Sequence, residues 1–167
     1  LLSDDYALSN SYEITKWHQF ENDMIADINF YGKMINSIND ENVRVSSRLN
    51  LSSSKLRGFE TGKLGPVDGT DYVGGNYAVA LNMSTTLPMV LESFENIDLK
   101  YFIDAGNVWG VDYSDTVNDA NTIRSSTGLA VNWFTPIGPM SFSFAQNLSK
   151  ASTDKVESFQ FNIGTSF

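Results

Sequence analysis

The sequence predicts an all-β fold, an antiparallel meander whose seven strands cross a membrane as part of a β-barrel. Three observations carry this. Apolar and polar residues alternate with period two through seven segments, and no stretch approaches the roughly 20 apolar residues that a spanning helix needs. Short turns also alternate with long polar loops, the asymmetry of outer-membrane barrels. The closing segment shows the pattern well: Phe159, Phe161, Ile163 and Phe167 share one face, with Gln160, Asn162, Gly164 and Ser166 between them. In a barrel the apolar face meets lipid, the polar face meets the lumen, and a terminal aromatic sits at the interfacial girdle. The alternative is a sandwich edge strand, whose apolar face a second layer would cover.

The length of 167 residues suits one domain. Hydrophobic residues make up 41% of the chain and mean hydropathy is slightly negative, which excludes a helical membrane protein but not a barrel, where alternation averages out. A net charge of −9 argues against nucleic acid as a partner, since phosphate binding needs clustered Lys and Arg. The absence of cysteine leaves the redox compartment open. The chain opens Leu1-Leu2-Ser3-Asp4, with no initiator Met, basic n-region or apolar h-region, so it is expected to be a piece of a longer, processed protein.

The first strand is expected over Tyr6 to Trp17, with Tyr6, Leu8, Tyr12 and Ile14 on one face and Ala7, Ser9, Ser11, Glu13 and Thr15 on the other. A polar turn over His18 to Asp23 leads to a second strand, Met24 to Ile35. There Ala26, Ile28, Phe30 and Met34 point outward and Asp27, Asn29 and Lys33 inward, with Tyr31 an exception on the polar side. From Asn36 to Tyr72 the periodicity is lost over a length far beyond the usual ~4–6 residue connection, and such loops tend to be functional or disordered. Within it lies Leu56-Arg57-Gly58-Phe59.

Alternation returns after Gly74-Gly75. Tyr77, Val79, Leu81, Met83, Thr85 and Leu87 face one way, Ala78, Ala80, Asn82, Ser84 and Thr86 the other, and Pro88 ends the strand. Ile97 to Trp109 follows, with Ile97, Leu99, Tyr101, Ile103, Ala105 and Trp109 outward and Asp98, Lys100, Phe102, Asp104 and Gly106 inward. Asp104 is a poor β former in mid-strand and needs a compensating partner. After the acidic loop from Gly110 to Asn121, the strand Ile123 to Phe134 closes through Thr135-Pro136-Ile137-Gly138-Pro139. Met140, Phe142 and Phe144 then face outward, and a loop from Ser149 to Glu157 reaches the last strand. Bacterial single-chain barrels have even strand numbers, so seven strands are expected to be only part of one.

Five motifs fall in one order: Leu56-Arg57-Gly58-Phe59, Gly74-Gly75-Asn76, Phe102-Ile103-Asp104-Ala105-Gly106-Asn107-Val108-Trp109, Thr135-Pro136-Ile137-Gly138-Pro139 and Phe159-Gln160-Phe161-Asn162-Ile163-Gly164. From about Arg48 to Phe167 the chain resembles the carboxy-terminal barrel half of the BamA family of outer-membrane protein assembly factors, within the bacterial surface antigen superfamily. The resemblance implies that residues 1–167 supply the last seven strands of a sixteen-stranded outer-membrane barrel, with the earlier strands and the POTRA domains lying outside this chain. It implies insertion and folding of nascent β-barrel proteins through a lateral seam, with Phe159, Phe161, Ile163, Gly164 and Phe167 in the seam strand. Periplasmic assembly lipoproteins and outer-membrane lipids are the further partners implied, and no cofactor, metal or catalytic residue. The loop at about 36–72 would tuck into the lumen, where Arg57, with Gly58 and Phe59 beside it, would meet Asp104. A second acidic partner of the family pattern is here Ser84, which can only hydrogen-bond.

Other chemistry finds little footing. His18 is the single histidine, at an expected turn, so a multi-His metal site or a His-based triad is unavailable within this chain. Asp112, Asp115 and Asp119 lack the glycine and terminal glutamate of a calcium loop and read as a solvated external loop. Gly58, Gly74 and Gly75 precede no helix and form no phosphate cradle. An outer-membrane phospholipase or protease would need a Ser/His or acid/His constellation that the chain lacks. A sibling translocase exporting a passenger protein and a passive porin remain as alternatives.

Overall fold

The computed structural model describes residues 7–39, 41–88, 96–117, 119, 121–136 and 138–163. Seven strands form one antiparallel sheet in the order β1 (Ala7–Gln19), β2 (Ile25–Ser37), β5 (Tyr77–Thr86), β6 (Ile97–Trp109), β7 (Arg124–Thr135), β8 (Gly138–Ser149) and β9 (Phe159–Ile163). Each strand pairs with its successor in this series, as hairpin connections dictate. Between β2 and β5 the long loop adds two small elements absent from the sequence expectation. They are a 3-10 turn at Val45–Ser47 and a hairpin of β3 (Val67–Asp68) with β4 (Asp71–Tyr72).

Among the boundaries that shift, two change how a named residue is placed. β1 continues to Gln19, so His18 lies in a strand opposite Ala26 rather than in a turn. The reversal needs only the few residues around Asp23, whose φ of 61° closes the hairpin while the Phe20 N–H bonds the Met24 carbonyl at 2.8 Å. Pro139 belongs to β8, opposite Phe134, because the reversal there is tightened by the Thr135 hydroxyl donating to the Gly138 carbonyl at 2.6 Å. Tyr6, Ile137, Gly164 and Phe167 lie outside the described residues.

The two faces of the sheet are chemically distinct. Met83, Tyr101, Ile103, Leu129, Trp133 and Phe144 are exposed on the outer face, and among the described residues no second layer covers them. Such an uncovered apolar band is stable against hydrocarbon and a liability in water. On β9, Phe161 stacks on Phe142 with centroids 4.9 Å apart, and Phe159 lies 5.0 Å from Phe144, so aromatic cross-strand pairs set its register.

Alternation makes the inner face polar, but where the long loop lies on it the face is apolar. Leu49, Leu51, Leu56, Phe59 and Leu64 of the long loop form an apolar core against Ile35, Ala78, Ala80 and Val108 of the sheet. Alternation alone reads Ala78 and Ala80 as neutral small residues, whereas their size is what lets the loop approach. Each fully buried Leu or Phe contributes about 1.5–3 kcal/mol toward offsetting the ordering entropy of the loop. Toward the short turns the same face opens into a polar cavity flanked by Glu13, Asp27, Lys55 and Lys100.

Candidate functional site

The loop is held to the wall by a polar centre at Asp104, whose side chain is fully buried. The Arg57 guanidinium reaches it in a two-pronged arrangement, Nε to Oδ2 at 2.7 Å and NH2 to Oδ1 at 2.7 Å. The Arg57 backbone N–H donates to Oδ2 at 3.1 Å, and Asn82 Nδ2 donates to Oδ1 at 2.9 Å. A buried carboxylate is tolerable only when its lone pairs are met in this way. The awkward mid-strand aspartate thus finds its compensation in a residue 47 positions earlier.

The guanidinium also lies flat over Phe102, 3.6 Å from the ring centroid. Phe102 in turn occupies the space above its cross-strand partner Gly128. A Cβ at Gly128 would stand 2.9 Å from the Phe102 ring and 1.9 Å from the Phe144 carbonyl oxygen, so only glycine fits. Gly128, Phe102, Arg57 and Asp104 therefore form one stack, locked from the side by the Ser126 hydroxyl donating to the Arg57 carbonyl at 2.5 Å. The sequence reading singled out Arg57 and Asp104 but not Asn82, Phe102, Ser126 or Gly128 as site residues. Cross-strand pairing carries the missing signal, since Asn82 stands opposite Asp104 and Gly128 opposite Phe102.

Ser84 is not brought to Arg57. It stands opposite Phe102, and its hydroxyl donates to Asp27 Oδ1 at 2.5 Å, with Lys100 Nζ 4.0 Å from the same oxygen. A shift of two residues along a strand moves a side chain by about 7 Å, and Asn82 holds the position next to the latch instead.

Gly58 has φ of +87°, and a Cβ there would press on Ala145 and Asn147, so the turn after Arg57 depends on glycine. Its carbonyl accepts from Asn147 Nδ2 at 2.9 Å and from the Glu157 N–H at 3.1 Å. Phe59 is 1% exposed, within the loop core, and its backbone bridges to Val156. Phe159, Phe161 and Ile163 project from the outer face of β9, as alternation requires.

Two further ion pairs anchor the loops. Arg124 and Asp154, both buried, pair through Nε to Oδ2 and NH2 to Oδ1 at 3.0 Å each. Arg124 also donates to the Asn107 side chain and, at 2.9 Å, to the Thr122 carbonyl. Arg48, its side chain buried, pairs with Asp112. Asp112 stays exposed, as its acidic loop context suggested, yet it is a bonded anchor rather than a free loop charge. It also accepts from the Val43 N–H and from Asn76 Nδ2, each at 2.9 Å, because the loop brings Arg48 and Val43 beside it. Partial burial pushes the Asp112 carboxyl up, but the bonds from Val43, Asn76 and Arg48 outweigh it and hold the group below the ordinary carboxylate range.

A sheet with one lipid-type face, and with a loop latched by Arg and Asp onto the other, defines a segment of a transmembrane β-barrel. A family model described as the Omp85 superfamily domain matches residues 1–167, and the chain belongs to that superfamily. It is 34% identical over 139 residues to the outer membrane protein assembly factor BamA of Neisseria meningitidis serogroup B, covering 67% of this chain and 17% of that one. BamA of Neorickettsia risticii is 30% identical over 130 residues, covering 76% of this chain and 17% of the relative. A SAM50-like protein of Schizosaccharomyces pombe is 30% identical, covering 80% of this chain and 30% of the relative. The crystal structure of BamA from Haemophilus ducreyi lacking POTRA domains 1–3 superposes with a TM-score of 0.83 at 26% identity, over 95% of this chain and 35% of that one. The chain is thus BamA-like, integral to the outer membrane, and spans under a fifth of the length of the two bacterial relatives.

Proposed function

We propose that this chain is the carboxy-terminal barrel segment of an assembly factor that inserts and folds β-barrel proteins into the bacterial outer membrane. The observation that carries the reading is the Arg57–Asp104 latch, which fixes the long loop on the inner face of a BamA-like sheet. The nascent barrel proteins are its substrates, admitted at a lateral seam whose one side is β9. An unpaired strand edge is a template for another strand, and main-chain hydrogen bonds supply the affinity. In this reading the protein is not an enzyme and needs no cofactor, because folding of the substrate drives the work. Periplasmic lipoproteins and outer-membrane lipids are its proposed accessory partners.

The reading is tested by depleting the full-length protein in its host and following folded outer-membrane barrels by heat-modifiable gel mobility. Their collective loss is expected, with rescue by the wild-type gene. Loss of one exported passenger with other barrels unaffected would assign the chain to a sibling translocase. Normal barrel levels together with a lost permeability would assign it to a porin.

A further inference from the structure

We propose that Gln160 is a positioning residue that couples the latched loop to the terminal strand, so that loosening either one loosens the other. Glutamine is rarely buried without partners, yet Gln160 is 5% exposed and points inward from β9. Both ends of its amide engage the loop backbone. Nε2 donates to the Phe59 carbonyl at 2.8 Å, and Oε1 accepts from the Gly58 N–H at 3.4 Å. Nε2 also reaches Glu157 Oε2 at 3.2 Å.

These side-chain bonds continue a backbone pairing. The Glu157 N–H donates to Gly58, the Glu60 N–H to Lys155, and the Lys155 N–H to Lys63, at 3.0–3.1 Å, so the chain entering β9 is strand-paired with the loop just past Arg57. Among the described residues β9 pairs with β8 from Phe159 to Ile163. This strand is therefore held on its inner face by the loop as well as along its edge by β8. If the latch opens, the Gln160 amide loses its bonds to the Gly58 and Phe59 backbone and keeps only Glu157, which loosens the hold on β9. If β9 moves, the Gly58 and Phe59 backbone loses its bonds beside Arg57. The relation is reciprocal, as coupling between two sites must be. Its consequence for substrate entry rests on the seam proposed above, but the coupling itself does not.

The experiment uses the full-length protein in membrane vesicles and reads two sites independently. In Asp104→Asn, which leaves β9 untouched, backbone hydrogen exchange over residues 158–163 is expected to rise about tenfold, the order of one or two lost buried hydrogen bonds. In Gln160→Leu, similar in volume, proteolytic cutting within residues 52–66 is expected to rise by a similar factor. Both changes support coupling. Faster loop cutting in Asp104→Asn with unchanged exchange over 158–163 overturns it, as does unchanged loop protection in folded Gln160→Leu. Should Gln160→Leu fail to accumulate, the Asp104→Asn exchange result decides alone. Barrel assembly is scored separately in both variants. Coupling without an assembly defect would refute the seam reading and leave this one standing.

Discussion

Arg57 and Arg124 each face a buried aspartate through paired bonds, yet they tie down different parts of the molecule. Arg57 crosses from a long loop to the wall at Asp104 in β6, and 18% of its side chain remains exposed toward the polar cavity. Arg124 projects from the start of β7 and joins that strand to Asp154 in the loop before β9, with 1% exposed. The first pair has one foot in an open space and holds a loop rather than a strand. The second is sealed, and also gathers Asn107 and the Thr122 carbonyl, so it clamps the adjoining ends of β6 and β7 to the loop before β9. Similar chemistry therefore holds a loop at the rim of a cavity in one place, the latch, and a sealed strand end in the other, the framework.

Breaking the framework should cost most. Arg124→Ala leaves Asp154 buried without its cation, and a loss of about 3–5 kcal/mol is expected, measured as a lowered denaturant midpoint of the full-length protein in lipid. The double variant Arg124→Leu with Asp154→Leu should recover much of that loss, because no unpaired charge remains. If the double variant is as damaged as the single, the specific bonds to Asn107 and Thr122 matter more than charge burial, and the contrast with Arg57 sharpens.

At the latch the effect should be local. Asp104→Asn weakens charge-assisted bonds to Arg57, an effect of about 1.5–3 kcal/mol, and it is expected to expose Ser52 to Pro66 to protease while the sheet's own unfolding midpoint changes little. Arg57→Lys should behave similarly, since an ammonium cannot make the paired contact or lie flat on Phe102. Unchanged cutting of the loop would sink the distinction between latch and framework. Gly128→Ala should be intermediate in kind. Its methyl meets both the Phe102 ring and the Phe144 backbone, so a loss of about 1–3 kcal/mol is expected, shared between loop protection and sheet stability.

The same contrast explains what the sequence could reveal. Asp104 was conspicuous because a carboxylate in mid-strand contradicts both β propensity and burial, and the contradiction demands a partner. Asp154 sits in a polar loop where an acid looks ordinary, so nothing in the local pattern announces that it is buried. The strands were legible because period two is a local property, and His18 was misplaced only because a polar residue near a hairpin satisfies strand and turn alike. The apolar part of the inner face was not legible: Leu49, Leu51, Leu56 and Leu64 are scattered through a segment with no period, and their common core exists only once the loop has folded back on Ala78 and Ala80. Ser84 illustrates the remaining gap. Facing inward was correctly read, but which inward residue meets Arg57 depends on register between strands, and register is a tertiary quantity.

The third pair, Arg48 with Asp112, tests whether an anchor with an exposed carboxylate behaves as latch or as framework, and it does so through pH. The folded-state pKa of Asp112 lies below its ordinary value of 3.8, so its bonds to Val43, Asn76 and Arg48 contribute stability that is present above that value and lost as pH falls through the depressed one. Acidification from pH 6 to about pH 3 should therefore lower the hydrogen-exchange protection factors over residues 42–48, taken against the intrinsic rate at each pH, by roughly threefold for a partly exposed pair. Asp112→Asn should remove most of that pH dependence while keeping the exchange high. If instead the acid response of 42–48 persists in Asp112→Asn, another carboxylate governs this end of the loop, and Arg48 belongs with Arg124 as framework.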